Sequence, residues 1–488
     1  MSLTAALNSA RSSLTVRSAE TNVVSRNIAG VNEAGYSRKT AEVTVDPSGG
    51  VQLLQITRSA DEALFMRVIR TNSDATMQSS MLDGINRLQQ TVDPSLGKAT
   101  PAGRLGSLVE ALQQAASSPD SQVLAQNAVD AAKNLVQTLN DASTAVQTVR
   151  KTADAAISSS VDKVNNLLAT FEKLNTRIIA DSGIGRDVTD QMDARDQVLL
   201  ELSAEIGIRT TARPSNDMQI YTDGGATLFD GVRRSVTFQP VSQFTPGVQG
   251  NAVIVDGTPV TGPGAVMQSK SGNIVGLTAL RDDVAVSYQG QLDEVARGVI
   301  EMFAETDVNG AGARAGLFRD GVSTALPGAS LQTGLAGSIR VAATVDLAQG
   351  GNPFLLRDGG ISDPLDPNYK VNTTGAAAYS DRYQTLISAF DQLQTFDSSG
   401  GALSKGSLTS YASSSVGWIE ALRKATTDNA DQTSTLLSRA TQTLSSTTGV
   451  SLDNEMSKML DLERAYQGSA KLISVVDSMM QSLLAAVR

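Results

Sequence analysis

The sequence predicts a mainly α chain with an inserted β domain, nested so that the two ends of the polypeptide meet. Three observations predict it. Apolar residues recur at heptad-like spacing at both termini, a proline-free helical pattern runs from Ser118-Pro119 to about Ala180, and alternating apolar residues stand among Gly and Pro turns between about Ile208 and Asn273.

From the amino end, Leu3, Leu7, Ala10, Leu14, Arg17, Thr21, Val24 and Ile28 form a modest stripe on a polar helix that Gly30 stops. Ala41, Val43 and Val45 then alternate with polar residues, and the turn Pro47-Ser48-Gly49-Gly50 leads to Val51 and Leu53, a β-hairpin pattern. Ser118 reads as an N-cap with Pro119 in the first helical turn, after which Leu124, Ala128, Leu135, Ala142, Val149 and Ala156 line one face and Val164, Leu168, Phe171 and Ile178 continue it. Further helices are expected from about Met192 to Ile206, Asp282 to Glu305 and Ser407 to Ser446. The strands of the insertion, such as 232–238 and 253–255, contain no long apolar run, so a small self-contained core is expected there; a second turn-rich patch, about 310–372, carries short strands such as Ser338 to Ala343. The carboxyl end has the stronger stripe, for Leu452, Met459, Tyr466, Ile473, Met480 and Val487 stand every seventh residue. Neither terminal helix can bury its stripe alone, so the two are expected to pair as a coiled coil.

Composition excludes more than it selects. With no cysteine and no histidine, a disulfide framework, a thiol nucleophile and the commonest general base and metal ligand are all absent. A net charge of −10 is the wrong sign for a phosphate backbone. Aromatics make up only 4% of the chain, so small and β-branched residues must fill the interior, as in long packed helices. No apolar run is long enough to span a membrane, and the first thirty residues lack the apolar core of a cleaved signal peptide, so neither membrane insertion nor a conventional secretory leader is expected.

Candidate chemical motifs are weak. The glycines of Gly30-Val31-Asn32-Glu33-Ala34-Gly35-Tyr36-Ser37 have P-loop spacing, but Tyr36 stands where the phosphate-binding lysine must be. Asp307-Val308-Asn309-Gly310 opens like a calcium loop and lacks its later ligands, so a turn is expected. The pairs Asp282-Asp283 and Asp363 with Asp366 invite a glycosidase reading, yet no aromatic sugar platform lies nearby and solvated turns are expected. No catalytic, metal or cofactor-binding residue is assigned.

The segment Asn27-Ile28-Ala29-Gly30-Val31-Asn32-Glu33-Ala34-Gly35-Tyr36-Ser37-Arg38 resembles the signature Asn-Ile-Ala-Asn-x-Asn-Thr-x-Gly-Tyr of the flagellar rod, hook and hook-associated protein family, with Gly30 and Glu33 replacing an asparagine and the threonine. Leu462-Glu463-Arg464-Ala465-Tyr466-Gln467-Gly468-Ser469-Ala470 is similar to the terminal helix of the same axial family, and 193–199 and 449–455 resemble its hook-associated members. The resemblance implies a structural subunit, not an enzyme: a junction between hook and filament, needed for filament assembly, exported by the flagellar type III apparatus to the extracellular flagellum without a cleaved signal peptide. It implies as partners further copies of the chain, hook protein, hook-associated protein 3 and an export chaperone, with no nucleic acid and no membrane. It implies four units: a terminal coiled-coil core of 1–70 plus 450–488; a long-helix domain of 71–210, 272–310 and 373–449; an inserted outer β domain of 211–271; and a turn-rich segment of 311–372. The motif residues Asn27, Ile28, Ala29, Asn32, Gly35 and Tyr36 are then expected in structural roles, with Gly30 and Gly35 supplying turn conformations, and the two heptad rows are expected on assembly helices. The rival readings are another axial subunit, of rod or hook, and a secreted flagellum-borne hydrolase or adhesin with its activity in the middle domain, where converging carboxylates would favour it.

Overall fold

The computed structural model describes residues 3–33, 35–46, 50–91, 100–310 and 312–486, with side chains from residue 5 onward; the Leu3 side chain, Ala34, the turn Pro47-Ser48-Gly49 and Val487 lie outside the described residues. The spine is helix α4, Gln122–Gly183, preceded by shorter helices α1, Leu3–Gly30, α2, Glu62–Gln89, and α3, Pro101–Ser117. At 1.5 Å per residue α4 is about 90 Å long. Ser121 caps its start by accepting from the Leu124 amide, no proline interrupts it, and one face from Ala125 to Ile178 is buried. Against it pack α5, Thr189–Glu205, and α6, Asn273–Ala279, which runs through a single π turn, Leu280–Val284, into α7, Ala285–Met302. Helices α10, Asp381–Ala389, α11, Leu408–Thr448, and α12, Leu452–Ala486, complete the long elements, after the one-turn helices α8, Leu335–Ser338, and α9, Leu355–Asp358.

Helix α2 lies along α11, with Gln89 donating to Glu420 at one end and the Ser59 hydroxyl to the Thr447 carbonyl at the other, so the two run antiparallel. Sequence periodicity did not reveal α2 because its buried face includes Ser73 and Gly84. Gly84 is there for space: a Cβ would stand 1.9 Å from a Leu280 methyl. Gly276 of α6 is less able to yield, for a Cβ there would meet the backbone carbonyl oxygen of Met77 at 2.5 Å.

The insertion is an antiparallel four-stranded meander, β3, Ile208–Ala212, β4, Met218–Thr222, β5, Thr227–Asp230, and β6, Val232–Arg233, followed by a small three-stranded sheet of β7, Val236–Thr237, β8, Ile254–Val255, and β9, Thr258–Pro259. It has no core of its own, contrary to the expectation from its turn-rich pattern. Phe229 meets Phe171 of α4 edge to face at 5.0 Å, and Asn165 of α4 donates to the Val236 carbonyl at 2.8 Å while accepting from its amide at 3.2 Å. Ile208, Ile220, Leu228, Val236 and Val255 thus belong to the same buried cluster as the helices. Strands this short cannot bury a sheet face among themselves, so the spine supplies the other half.

Helix α7 is buried on nearly every side, charges included. Arg297 bridges Glu294 at 2.7 Å and Glu301 at 2.8 Å, and Asp293 accepts from the Gly334 and Ala336 amides, both at 2.8 Å. Past α7 the chain forms three two-stranded ribbons, and Asp307-Val308-Asn309-Gly310 is the expected turn, closed by the Gly310 amide on the Asp307 carbonyl.

Two outcomes follow from this packing. Gly276→Ala should lower the stability of the helical body by about 1–3 kcal/mol, as overpacking against a rigid backbone does; urea titration against the parent chain measures it. Burial, opposed by the amides of Gly334 and Ala336, holds Asp293 up at about 6. A folded value above the unfolded one favours the protonated form in the fold, so stability is greatest below the unfolded value near 4 and falls as pH rises towards 6. The loss contributed by this one group is up to roughly 3 kcal/mol, and Asp293→Asn should remove that part of the slope in urea titrations between pH 4.5 and 7.

Candidate functional site

The motif segment folds as a tight turn onto the end of α1. Glu33 donates its amide to the Gly30 carbonyl, Tyr36 donates its amide to Glu33, and Gly35 takes a φ of 81° that favours glycine. Gly30 does not supply a turn conformation as expected. It is the last residue of α1, and its lack of a side chain admits the Tyr36 ring, which a Cβ would approach to 2.5 Å. From that position the Tyr36 hydroxyl donates to Asn27 at 3.1 Å.

Asn27 is buried and uses both ends of its amide. Its oxygen also accepts from the Lys39 backbone amide at 2.9 Å, while its nitrogen donates to the Lys39 carbonyl at 2.9 Å and to Glu455 at 3.1 Å. Glu455, in the first turn of α12, is completed by Arg38 at 2.8 Å, and the Arg38 amide donates to the carbonyl of Thr448 at the end of α11. One asparagine therefore fixes the end of α1, the start of the hairpin β1, Lys39–Val45, with β2, Val51–Arg58, and the start of α12.

The second half of the joint is a charge zipper. Asp187, Asp190, Asp193 and Asp196 stand three residues apart on α5 and the turn before it, and a cation occupies each gap. Arg26 reaches Asp187 at 2.8 Å and Asp190 at 2.7 Å; Lys39 reaches Asp190 at 3.0 Å and Asp193 at 2.8 Å; Arg58 reaches Asp193 at 3.0 Å and Asp196 at 2.6 Å. The Lys39 ammonium also lies 3.5 Å from the centre of the Tyr36 ring. Burial works against all three cations, but the aspartates outweigh it and leave Arg26, Lys39 and Arg58 with raised pKa values. The same contest leaves Asp187 and Asp190 below the ordinary carboxylate range, whereas burial wins at Asp196 and pushes it up.

Beyond the joint, α1 and α12 run antiparallel, the Ser13 hydroxyl meeting that of Ser469 at 3.3 Å. On α12 the buried positions are Glu455, Leu462, Ser469 and Val476, every seventh residue. The predicted row lies one step round from this seam: Met459 and Ile473 are half-buried at its edge, and Leu452, Tyr466 and Met480 are exposed. On α1, Leu7, Leu14 and Ile28 are half-buried, Val24 is buried and Ala29 is exposed, as are Asn32 and Gly35 of the turn after it. Off this seam α12 leaves apolar side chains in solvent, with Leu460 52%, Leu472 59%, Met479 52% and Leu484 67% exposed.

Sequence reasoning missed the zipper, although acids repeated every third residue were there to be counted. The middle of the chain does bring carboxylates together, in a cavity of about 490 Å³ lined by Asp282, Asp283 and Asp293. Two of the three are already engaged, Asp282 by Arg281 at 2.6 Å and Asp293 by backbone amides, so the cavity does not offer the free acid and base a hydrolase needs.

Residues 72–317 match the model of the flagellar hook-associated protein FlgK helical domain, which is half of the chain. The chain belongs to the FlgK family. Residues 441–486 match a second model, the flagellar basal body rod FlgEFG protein C-terminal. The flagellar hook-associated protein 1 of Bacillus subtilis strain 168 is 21% identical over 98% of this chain and 97% of its own length. That of Escherichia coli K12 is 24% identical over 70% of this chain, and that of Salmonella typhimurium LT2 is 28% identical over 46%. The chain spans 63% and 42% of the lengths of those two. A solved chain, the flagellar hook junction protein FlgK from Burkholderia pseudomallei, aligns with 53% of this chain and 47% of its own at 19% identity, with a TM-score of 0.42. The FlgK match falls on the spine and its packing, and the rod-type match on the end of α11 and α12, so the joint around Asn27 and Glu455 sits where the two regions meet.

Lys39→Met should destabilise the joint by about 1–3 kcal/mol, because a buried ammonium is lost from Asp193 while Arg58 still holds that carboxylate and exposed Asp190 keeps Arg26. Melting followed by proteolysis between residues 39 and 58 should show the hairpin released before the helical body unfolds.

Proposed function

We propose that the chain is a structural subunit of the bacterial flagellum that joins hook to filament and is needed for the filament to assemble. The observation that carries this reading is the set of apolar side chains that α12 leaves exposed, on a helix whose base is held by Asn27 through Glu455. Burial is worth about 25 cal/mol per Å² of apolar area, so a helix with this exposure gains most by packing against copies of the same helix. Repeated contacts of that kind build a ring or a helical lattice. The long spine then carries the β insertion away from the assembly axis.

The partners in this reading are further copies, hook protein on one side and hook-associated protein 3 on the other, with an export chaperone covering the apolar end of α12 before assembly. The type III apparatus would deliver the chain, unfolded, to the extracellular flagellum without a cleaved signal peptide. No helix among the described residues is long and apolar enough to cross a membrane. The four sequence units serve the same reading as a division of labour: 1–70 with 450–488 for the lattice, the long helices for reach, and 211–271 with 311–372 as outer surface.

The double variant Leu460→Asp with Leu484→Asp changes two exposed positions. Its thermal midpoint should stay within about a degree of the parent, since surface changes alter stability by about 0.5 kcal/mol or less, while flagella isolated from cells carrying it should lose filaments. Filaments retained with the variant protein at the junction would overturn the reading.

A further inference from the structure

A groove of about 680 Å³ lies between α2 and the start of the insertion, lined by Met66 and Ile208 and by Arg67, Arg70, Arg209 and Lys270. None of these four cations is in a salt bridge among the described residues, whereas Arg281, Arg297 and Arg382 elsewhere in the body each hold a carboxylate. The two acids that line it, Asp74 and Asp223, offset only part of this charge, and Asp223 accepts from the Lys270 amide at 3.0 Å and the Ser271 hydroxyl at 2.9 Å. In a chain of net charge −10 this is an exceptional place. A partner that fits it carries two or more carboxylates around an apolar side chain.

The chain itself displays that shape. In the loop Asp363-Pro364-Leu365-Asp366-Pro367, Leu365 is 92% exposed between two prolines and two aspartates. The loop is held rigid rather than left to collapse. Ile361 and Ser362 donate their amides to Glu305 at 3.0 and 2.7 Å, Glu305 is paired to Arg382 at 2.7 Å, and Asp363 and Asp366 accept from the Leu365 and Asn368 amides, both at 3.0 Å. Each aspartate has its second oxygen left for a partner, and a loop already fixed in shape loses little entropy on docking.

The knob cannot reach the groove of its own copy. Arg357, just before the loop, donates to the Pro119 carbonyl at the start of α4, whereas Lys163 of α4 pairs with Glu205 beside the groove. These two points on the spine are roughly 60 Å apart at 1.5 Å per residue. We propose that the Asp363–Asp366 loop of one copy docks in the groove of the next, with Leu365 on Met66 and Ile208 and the two carboxylates among Arg67, Arg70, Arg209 and Lys270. The contact is head-to-tail, so it propagates and does not close a pair. It rests on the self-assembling reading above, and it adds a second contact made by residues outside α12.

The chain contains no cysteine, so introduced thiols report without background. Flagella carrying Leu365→Cys together with Met66→Cys, treated with a short thiol-reactive crosslinker, should give a ladder of multimers, and neither single variant should. Arg67→Glu with Arg70→Glu should weaken the ladder at least tenfold, and adding Asp363→Arg with Asp366→Arg should restore it. Absence of cross-links while the protein is present at the junction overturns the docking contact and leaves the family reading standing. Dimers without higher species overturn the head-to-tail geometry. Parent protein absent from flagella overturns the reading on which both rest.

Discussion

Three cations seated in the gaps of a four-aspartate row set the geometry on which everything else in this chain depends. Each of Arg26, Lys39 and Arg58 belongs to a different segment, the end of α1, the start of β1 and the end of β2, and each is shared between neighbouring aspartates of α5 and the turn before it. A displacement of the terminal module along α5 breaks all the bonds at once. Buried ion pairs add little net stability compared with well-packed apolar groups, and their better-attested role is to specify one arrangement. Asn27 does the same for the coiled coil: at a buried seam position opposite Glu455, only the observed antiparallel register satisfies its amide.

The joint separates two kinds of surface. Inside it the spine, α7 and the insertion share one continuous buried cluster, in which Phe171 with Phe229 and the Asn165 bracket on Val236 tie sheet to helix. Outside it α12 buries only one narrow row and leaves Leu460, Met479, Leu483 and Leu484 in solvent. A chain that leaves so much apolar surface on one long helix is built to have it covered by something else.

Much of this architecture was legible in the sequence. α1, α4, α5, α7, α11 and α12 are long and periodic enough that apolar spacing alone places them within a few residues. α2 and α3 escaped: Ser73 and Gly84 interrupt the buried face of α2, and the backbone contact that demands Gly276 cannot be counted in a hydrophobic pattern. The chosen row on α12 was one step off the seam for the same reason, since two of the four seam residues, Glu455 and Ser469, are polar. Asn27 and Tyr36 were flagged only by family resemblance, which says nothing about the partners that Lys39, Glu455 and the α5 aspartates provide. Those aspartates, read alone, look like any solvated helix face.

If the zipper and Asn27 couple the terminal module to the helical body, the two must open together. Native-state hydrogen exchange across a urea series measures that coupling directly. The account predicts that the inter-strand amides of β1 and β2 nearest the joint and the amides of α5 between Asp190 and Asp196 merge into one opening isotherm of common slope. Hairpin amides that exchange at several kcal/mol lower free energy than α5, with a small and separate slope, would contradict it.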